Sequence, residues 1–215
     1  MTKISIIIPT INEAKNLPLL LSDLSIIQKE GEILIIDGGS EDKTIDVANI
    51  YGAKVYKSKE KNRGLQLDMG AKNSNGDWLI FLHADSRLTH DWFRKIKSIL
   101  KKGKNYIYFF KFKINNKKII YRILEILVNL RSKYFKQPYG DQGLIIHRNT
   151  YLQNNGFRKI PLMEDIDFFR RLNNKKDLNQ LSVPIFTSAR KWEKTNIFLQ
   201  AFKNWNFRRR WLKGE

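Results

Sequence analysis

The sequence has no cysteine, which excludes disulfides, thiolate metal sites and a cysteine nucleophile, and leaves the redox compartment open. It has no apolar run near the roughly 18 residues that a membrane-spanning helix needs. After Met1-Thr2-Lys3 only five apolar or small residues precede Pro9, too few for the apolar region of a signal peptide. These absences lead us to expect a cytoplasmic protein, at most touching the inner face of the cell membrane. Acidic residues are scarce: 21 Asp and Glu stand against 40 Lys and Arg, giving a formal net charge of +19. Such a surplus draws a protein toward nucleic acid, anionic lipid headgroups or phosphorylated small molecules without choosing among them. The GxGxxG fingerprint is also missing, because the turn Gly38-Gly39-Ser40 does not match it, and dinucleotide oxidoreduction loses its main support.

What is present is a set of apolar runs that end in carboxylates. Trp78-Leu79-Ile80-Phe81-Leu82 reads as a strand buried on both faces of a parallel sheet, and His83-Ala84-Asp85-Ser86 follows it directly. Asp85 then stands at the carboxyl end of the strand, where open α/β sheets bind ligands and where a carboxylate can hold a hard divalent cation. The alternative is that Asp85 or Ser86 caps a helix over Thr89 to Lys101. Ile4 to Ile8 reads as a first strand leaving through Pro9-Thr10-Ile11-Asn12-Glu13. A helix follows, with Leu17, Leu20, Leu21, Leu24 and Ile27 at helical spacing. Glu32 to Asp37 is a second strand, Thr44 to Tyr51 a helix, Ala53 to Tyr56 a short strand and Gly64 to Asn73 a helix. This alternation predicts βαβ units and a mostly parallel sheet flanked by helices, in a single domain of 215 residues.

Three strands thus deliver polar residues to one edge: Thr10, Asn12 and Glu13 after the first, Asp37 after the second, Asp85 after the fourth. Caps need not be clustered carboxylates that repel one another without a cation, so the convergence favours a site. Arg63, Gln66 and Asp68 open the third helix, where a basic side chain and helix amides suit a phosphate; for Arg63 a solvated surface charge is the alternative.

Beyond residue 103 the rhythm changes. Tyr106 to Ile114 starts as a continuous apolar run and turns alternating, as expected of a strand near the sheet edge. Lys118 to Tyr134 is apolar over most of its circumference, interrupted by Arg122, Glu125 and Asn129; packing on the sheet is preferred to a membrane-facing helix. Pro138 to Gly143 is a loop, Leu144 to His147 a short strand, and Glu164-Asp165-Ile166-Asp167 starts a helix. The tail from Trp205 interleaves aromatics with arginines, a pattern suited to an anionic bilayer interface or to RNA.

Read in order, Ile8-Pro9-Thr10-Ile11-Asn12-Glu13, Ile36-Asp37-Gly38-Gly39-Ser40-Glu41-Asp42-Lys43-Thr44, His83-Ala84-Asp85 and Met163-Glu164-Asp165 resemble the successive signatures of the family 2 glycosyltransferases. Gly140-Asp141-Gln142-Gly143 with Leu162-Met163-Glu164-Asp165 is similar to a small bacterial subgroup associated with radical-SAM and arsenosugar-type gene neighbourhoods. The resemblance, which runs from Ile4 to about Trp192, implies the GT-A fold, with a Rossmann-like nucleotide-binding half over 1–103 and acceptor-side additions over 104–192; the remainder, 193–215, reads as a basic helical tail. By the same resemblance Pro9, Thr10, Asn12, Glu13, Gly39, Arg63, Gln66, His83 and Ala84 line the nucleotide-sugar pocket and Asp37 recognises the nucleobase. Asp85 carries Mg²⁺ or Mn²⁺ at the diphosphate, and Asp165 is the base that deprotonates the acceptor in an inverting transfer. Asp141, Gln142, Glu164 and Trp192 are expected on the acceptor side, with a lipid-linked or small-molecule acceptor. His83 stands where many relatives have an aspartate, and Ser188 and Lys191 break the motif of processive members.

Two rival classes account for less. A sugar-phosphate nucleotidyltransferase usually carries a glycine-rich basic segment after its first strand, where this chain has Pro9-Thr10-Ile11-Asn12-Glu13. A basic nucleic-acid-binding module leaves the clustered carboxylates unexplained.

Overall fold

A computed structural model describes residues 3–101, 103–172 and 177–188. The isoleucines of β1 (Ile4–Thr10) are buried on both faces, as the sequence predicts for a central strand. β1 pairs in parallel with β2 (Gly31–Asp37) on one side and β4 (Trp78–Phe81) on the other, and β2 pairs in parallel with β3 (Lys54–Lys57). Helices α1 (Leu17–Leu24), α2 (Thr44–Ile50) and α3 (Arg63–Asn73) make the connections that parallel strands require. Leu17, Leu20, Leu21, Leu24 and Ile27, picked out by spacing, are all buried.

The sheet has eight strands in the order β3-β2-β1-β4-β7-β6-β8-β5, where β5 is Arg87–Leu88, β6 Ile107–Ile114, β7 Leu144–His147 and β8 Leu178–Thr187. β7 runs antiparallel to both β4 and β6 and so stitches the second half of the chain onto the first. One core packs α1, α2 and α4 (Trp92–Leu100) on one face of the sheet. The other packs α3, α6 (Arg148–Gln153) and α7 (Glu164–Arg171) on the opposite face. This is the α/β architecture expected.

Several elements differ from expectation. The helix after Asp85 begins at Trp92, with Asp91 in the capping position and β5 intervening, so neither Asp85 nor Ser86 is a helix cap. β6 lies near the sheet edge as expected, with β8 and the two-residue β5 beyond it. It lies between β7 and β8, yet only Ile107 and Tyr108 pair with β7, while Lys111 to Ile114 pair with β8 alone. The side that β7 leaves open is closed by α5 (Ile119–Phe135): Asn129 accepts from the Phe112 N–H at 2.8 Å and donates to its carbonyl at 2.9 Å, Glu125 accepts from the Ile114 N–H at 2.7 Å, and Arg122 donates to the Ile114 carbonyl at 2.9 Å. The three polar residues that interrupt α5 therefore point at the sheet, where they take the place of a missing strand. Tyr121 joins Phe112 and Ile114 in a small core beneath the helix, so α5 packs on the sheet as expected.

β8 has no counterpart in the sequence reading. Its residues alternate in burial, and Pro184 interrupts them, a residue that argues against an internal strand. The structure accommodates Pro184 opposite Lys111, next to the register shift between Phe109 and Lys111. Among the described residues no helix is long and apolar enough to cross a membrane. Trp192 and the basic tail over 193–215 lie outside the described residues.

Candidate active site

The carboxyl ends of β1, β2 and β4 lie side by side, as the strand order requires, and each carries polar residues into its exit loop. Asp37, at the end of β2, is 1% exposed. Its carboxylate accepts from the Gly39 N–H at 3.0 Å, the Ser40 N–H at 2.8 Å, the Ser40 hydroxyl at 2.5 Å and the Thr10 hydroxyl at 3.1 Å. An ionised carboxylate offers about four acceptor sites, and all are engaged. Asp37 thus braces the turn Gly38-Gly39-Ser40 and joins it to β1. Gly39 has φ +93°, a left-handed value that glycine adopts without strain. Asn12, also left-handed at φ 54°, accepts from the Glu41 N–H at 2.8 Å, and its own N–H donates to the Ser40 hydroxyl at 2.9 Å. The Glu13 N–H donates to the Thr44 hydroxyl at 2.8 Å. Two exit loops are thereby knitted into one ledge.

Gln66 is buried and its amide donates to the carbonyls of Ile36 at 2.7 Å and Thr10 at 3.1 Å, holding the ends of β1 and β2 together. Asp68 accepts from the buried Tyr151 hydroxyl at 3.1 Å and pairs with Lys72, which makes it a strut between α3 and α6.

Asp85 is in a different situation. It is half-buried, and no described residue donates a hydrogen bond or an ion pair to its carboxylate. Of the strand-end aspartates it is the one whose oxygens face no protein donor among the described residues. Ala84 is buried beside it. His83, two residues earlier, points elsewhere: a Cβ built on Gly140 would stand 2.9 Å from its Nε2 and 3.4 Å from Oδ2 of Asp165. Glycine at 140 is what lets the imidazole and the carboxylate converge.

Asp165 lies in the first turn of α7 and is 8% exposed. Its Oδ2 accepts from the Gly140 N–H at 2.6 Å and its Oδ1 from the Ile166 N–H at 2.7 Å. Burial, and then the neighbouring Glu164, push its carboxyl above the ordinary carboxylate range against the opposing pull of Arg63 and the two amides. Glu164 is 2% exposed and ion-paired with Arg63, the first residue of α3. Burial works against the charge on Arg63, but Glu164, Asp165 and Asp141 outweigh it and hold the guanidinium firmly protonated. Gly64 permits the approach, since a Cβ there would meet the Arg158 carbonyl oxygen at 2.1 Å and the Glu164 side chain at 3.2 Å. Asp167 pairs with Arg171 at 2.8 Å.

Gln142 is fully buried: its carbonyl accepts from the Ser132 hydroxyl at 2.5 Å and its amide reaches the Phe110 carbonyl at 3.4 Å, so it anchors the loop on α5 and β6. Asp141, beside it, belongs to the electrostatic surroundings of Arg63. A cavity of about 20 Å³ lies under His83, Gly140, Glu164 and Asp165. A hollow of about 880 Å³ sits at the opposite edge of the sheet among Lys3, Glu32, Lys54 and Lys97. Its lysines 54 and 97 are paired with Glu32 and Glu30, and the chemistry follows the strand carboxyl ends instead.

With these carboxylates in order along the sheet edge, comparison with known proteins is decisive at the level of family. A sequence model of Glycosyl transferase family 2 matches residues 5–214. The chain belongs to glycosyltransferase family 2. It is 38% identical over 92 residues to a PGL/p-HBAD biosynthesis glycosyltransferase of Mycobacterium bovis (strain BCG / Pasteur 1173P2), covering 39% of this chain and 36% of that protein. It is 38% identical over 95 residues to the 4,4'-diaponeurosporenoate glycosyltransferase of Staphylococcus haemolyticus, covering 41% and 25%. The chain therefore spans about a third or less of the length of these relatives. Its fold resembles that of S. aureus TarS 1-349, with a TM-score of 0.70 at 19% identity over 87% of this chain and 60% of that one. It also resembles glucosyl-3-phosphoglycerate synthase from Mycobacterium tuberculosis, crystallised with Mn²⁺, uridine diphosphate and glucosyl-3-phosphoglycerate, with a TM-score of 0.62 at 18% identity over 87% and 70%. The GT-A fold expected for this family 2 chain is present.

The family 2 residues fit a divalent cation of limited protein coordination. No group of three or more His, Asp or Glu side chains placed to hold a metal occurs among the described residues. Mg²⁺ is ordinarily held by one or two carboxylates and substrate phosphates, and Asp85, with its unengaged oxygens, is such a carboxylate. The sequence reading missed Gly140 and Gly64 as determinants of the site. Both lie in or beside motifs that were singled out, but a glycine that admits a neighbouring chain is invisible without the neighbour.

Proposed function

We propose that the chain is an inverting glycosyltransferase that moves a sugar from a nucleotide-diphosphate sugar to an acceptor hydroxyl. The observation that carries this reading is the approach of two side chains to Gly140: the loop bearing the unengaged Asp85 also bears His83, and His83 and the buried, proton-avid Asp165 both come up to that glycine. The proposed donor-side carboxylate thus stands two residues from an imidazole that shares Gly140 with the proposed acceptor-side base.

In this reading the ledge made by Pro9, Thr10, Asn12, Glu13 and Gly39 receives the nucleotide. Asp37 shapes that ledge through its four hydrogen bonds, and Gln66 fixes the strand ends beneath it. Asp85 holds Mg²⁺ or Mn²⁺, which supplies charge neutralisation for the departing diphosphate. Uridine diphosphate complexes with Mn²⁺ and with Mg²⁺ in glucosyl-3-phosphoglycerate synthase, and a UDP-GlcNAc complex of TarS, support such a donor and cation. Asp165 takes the proton from the acceptor hydroxyl as its oxygen attacks the anomeric carbon from the face opposite the diphosphate. Its raised affinity for protons suits a base, and Glu164, locked to Arg63, maintains it. His83 contacts the transferred sugar between the two aspartates. Asp141 faces the acceptor. Relatives named for 4,4'-diaponeurosporenoate and for a dolichyl phosphate support an acceptor with an apolar body.

The test is a screen of UDP- and GDP-sugars against lipid and small-molecule acceptors with Mn²⁺, with the product's anomeric configuration read by proton NMR coupling. Configuration opposite to that of the donor is expected. Retention of configuration would overturn the single-displacement role of Asp165.

A further inference from the structure

α5 is amphipathic in the reverse sense of an ordinary surface helix. Arg122, Glu125, Asn129 and Ser132 face inward, where they bond the open side of β6 and the loop at Gln142. Ile119, Ile123, Ile126, Leu127, Leu130 and Tyr134 recur at spacings of three and four and so share the opposite face. Their exposures run from 46% at Leu130 to 79% at Ile119. A continuous apolar stripe along a 17-residue helix, about 25 Å at 1.5 Å per residue, marks an interaction surface.

The charges around the stripe identify what covers it. Between Asn115 and Gln137 the chain carries Lys117, Lys118, Arg122, Arg131, Lys133 and Lys136 against a single acid, Glu125, which is buried. Lys117 and Lys118 stand exposed at one end of the stripe and Lys133 along its flank. A second copy docking on the same face would bring these cations against their equivalents. An anionic bilayer meets both halves of the pattern: the aliphatic side chains enter the headgroup boundary while lysines reach the phosphates. We propose that the outward face of α5 is a membrane-docking surface that lies flat on an anionic lipid bilayer.

The position of α5 gives the docking a consequence. Its last turns hold the loop of the site, through the Ser132–Gln142 hydrogen bond and the Arg131 guanidinium stacked 3.7 Å from the Tyr139 ring centroid, and the Gly140 N–H of that loop binds Asp165. Docking brings this side of the molecule to the lipid surface. That it is the acceptor side rests on the reading of Asp165 given above; the docking does not.

The absence of cysteine makes a direct test available. A single cysteine introduced as Ile126→Cys and labelled with an environment-sensitive fluorophore reports insertion, with Asn49→Cys on the exposed side of α2 as control. With vesicles of phosphatidylcholine and phosphatidylglycerol the label at 126 shifts to the blue, reversibly with added salt, while the label at 49 does not respond. Phosphatidylcholine alone gives little shift. The double substitution Ile126→Glu/Leu130→Glu lowers vesicle partitioning about tenfold or more with an unchanged melting temperature. Three results would overturn the proposal: vesicle binding with a silent label at 126, which assigns the contact to another surface; a concentration-dependent shift without vesicles, which assigns the face to a second copy; or a lower melting temperature of the double variant with partitioning unchanged, which assigns the face to the chain itself.

Discussion

Asp37 and Asp165 are both buried aspartates, and their neighbours set them opposite tasks. Asp37 receives four donors and shapes a turn. Asp165 receives two amides and sits beside Glu164, so its proton is held more tightly than usual, through burial first and the like charge second. Asp165→Asn is expected to lower turnover about 10² to 10⁴-fold while nucleotide-sugar affinity stays within a few-fold. Transfer near the wild-type rate in a discontinuous assay would remove the residue from the chemistry. Because the folded carboxyl binds its proton more tightly than the unfolded one, stability falls as pH rises from the ordinary carboxylate range through the raised value. The asparagine variant escapes that fall, so its melting temperature relative to wild type should improve with pH across that window, offset by a constant loss at the Gly140 amide. Activity runs the other way. The acid limb of the rate profile should lie above the ordinary carboxylate range and move down in Glu164→Gln, which removes the like charge. A limb that does not move would dissociate Glu164 from the base.

Among the elements, legibility followed how each one is buried. β1, β2 and β4 were readable because central parallel strands are apolar on both faces, and the carboxylates at their ends interrupt that pattern. β8 was hidden by alternation and by Pro184, which only the register shift opposite it makes tolerable. In α5 the three polar interruptions were visible, but their bonds to a half-open strand were not, and so neither was the outward direction of the apolar stripe. The same holds within the site. Asp85 is singled out by its place at a strand end and Asp165 by the family resemblance, whereas the engagement of Gln66 and Gln142, and of Asp37 with Thr10, depends on partners 10 to 56 residues away. Two glycines separate packing from chemistry. Gly64→Ala drives a methyl into the Arg158 carbonyl and should cost about 1–3 kcal/mol in denaturant unfolding, since backbone must yield. Gly140→Ala meets the far end of the His83 ring, so its melting temperature should change little while transfer falls; the reverse order of effects would contradict the placement of His83.

For the whole molecule, one sheet carries two halves joined by β7, and the proposed donor and acceptor chemistry meets where they adjoin. The net charge of +19 bears on partners and says nothing about the fold. Family membership, the strand-end carboxylates and the buried Asp165 describe one machine only if the proposed donor and base functions separate cleanly between Asp85 and Asp165. Calorimetric titration of UDP and of GDP, with and without Mn²⁺, into wild type, Asp85→Ala and Asp165→Asn examines that directly. The account predicts that one of the two nucleotides binds wild type in a Mn²⁺-dependent manner, that Asp85→Ala loses the dependence together with most of the affinity, and that Asp165→Asn keeps both. Binding by wild type that ignores Mn²⁺ and survives in Asp85→Ala, or no binding of either nucleotide to the folded protein, would contradict it.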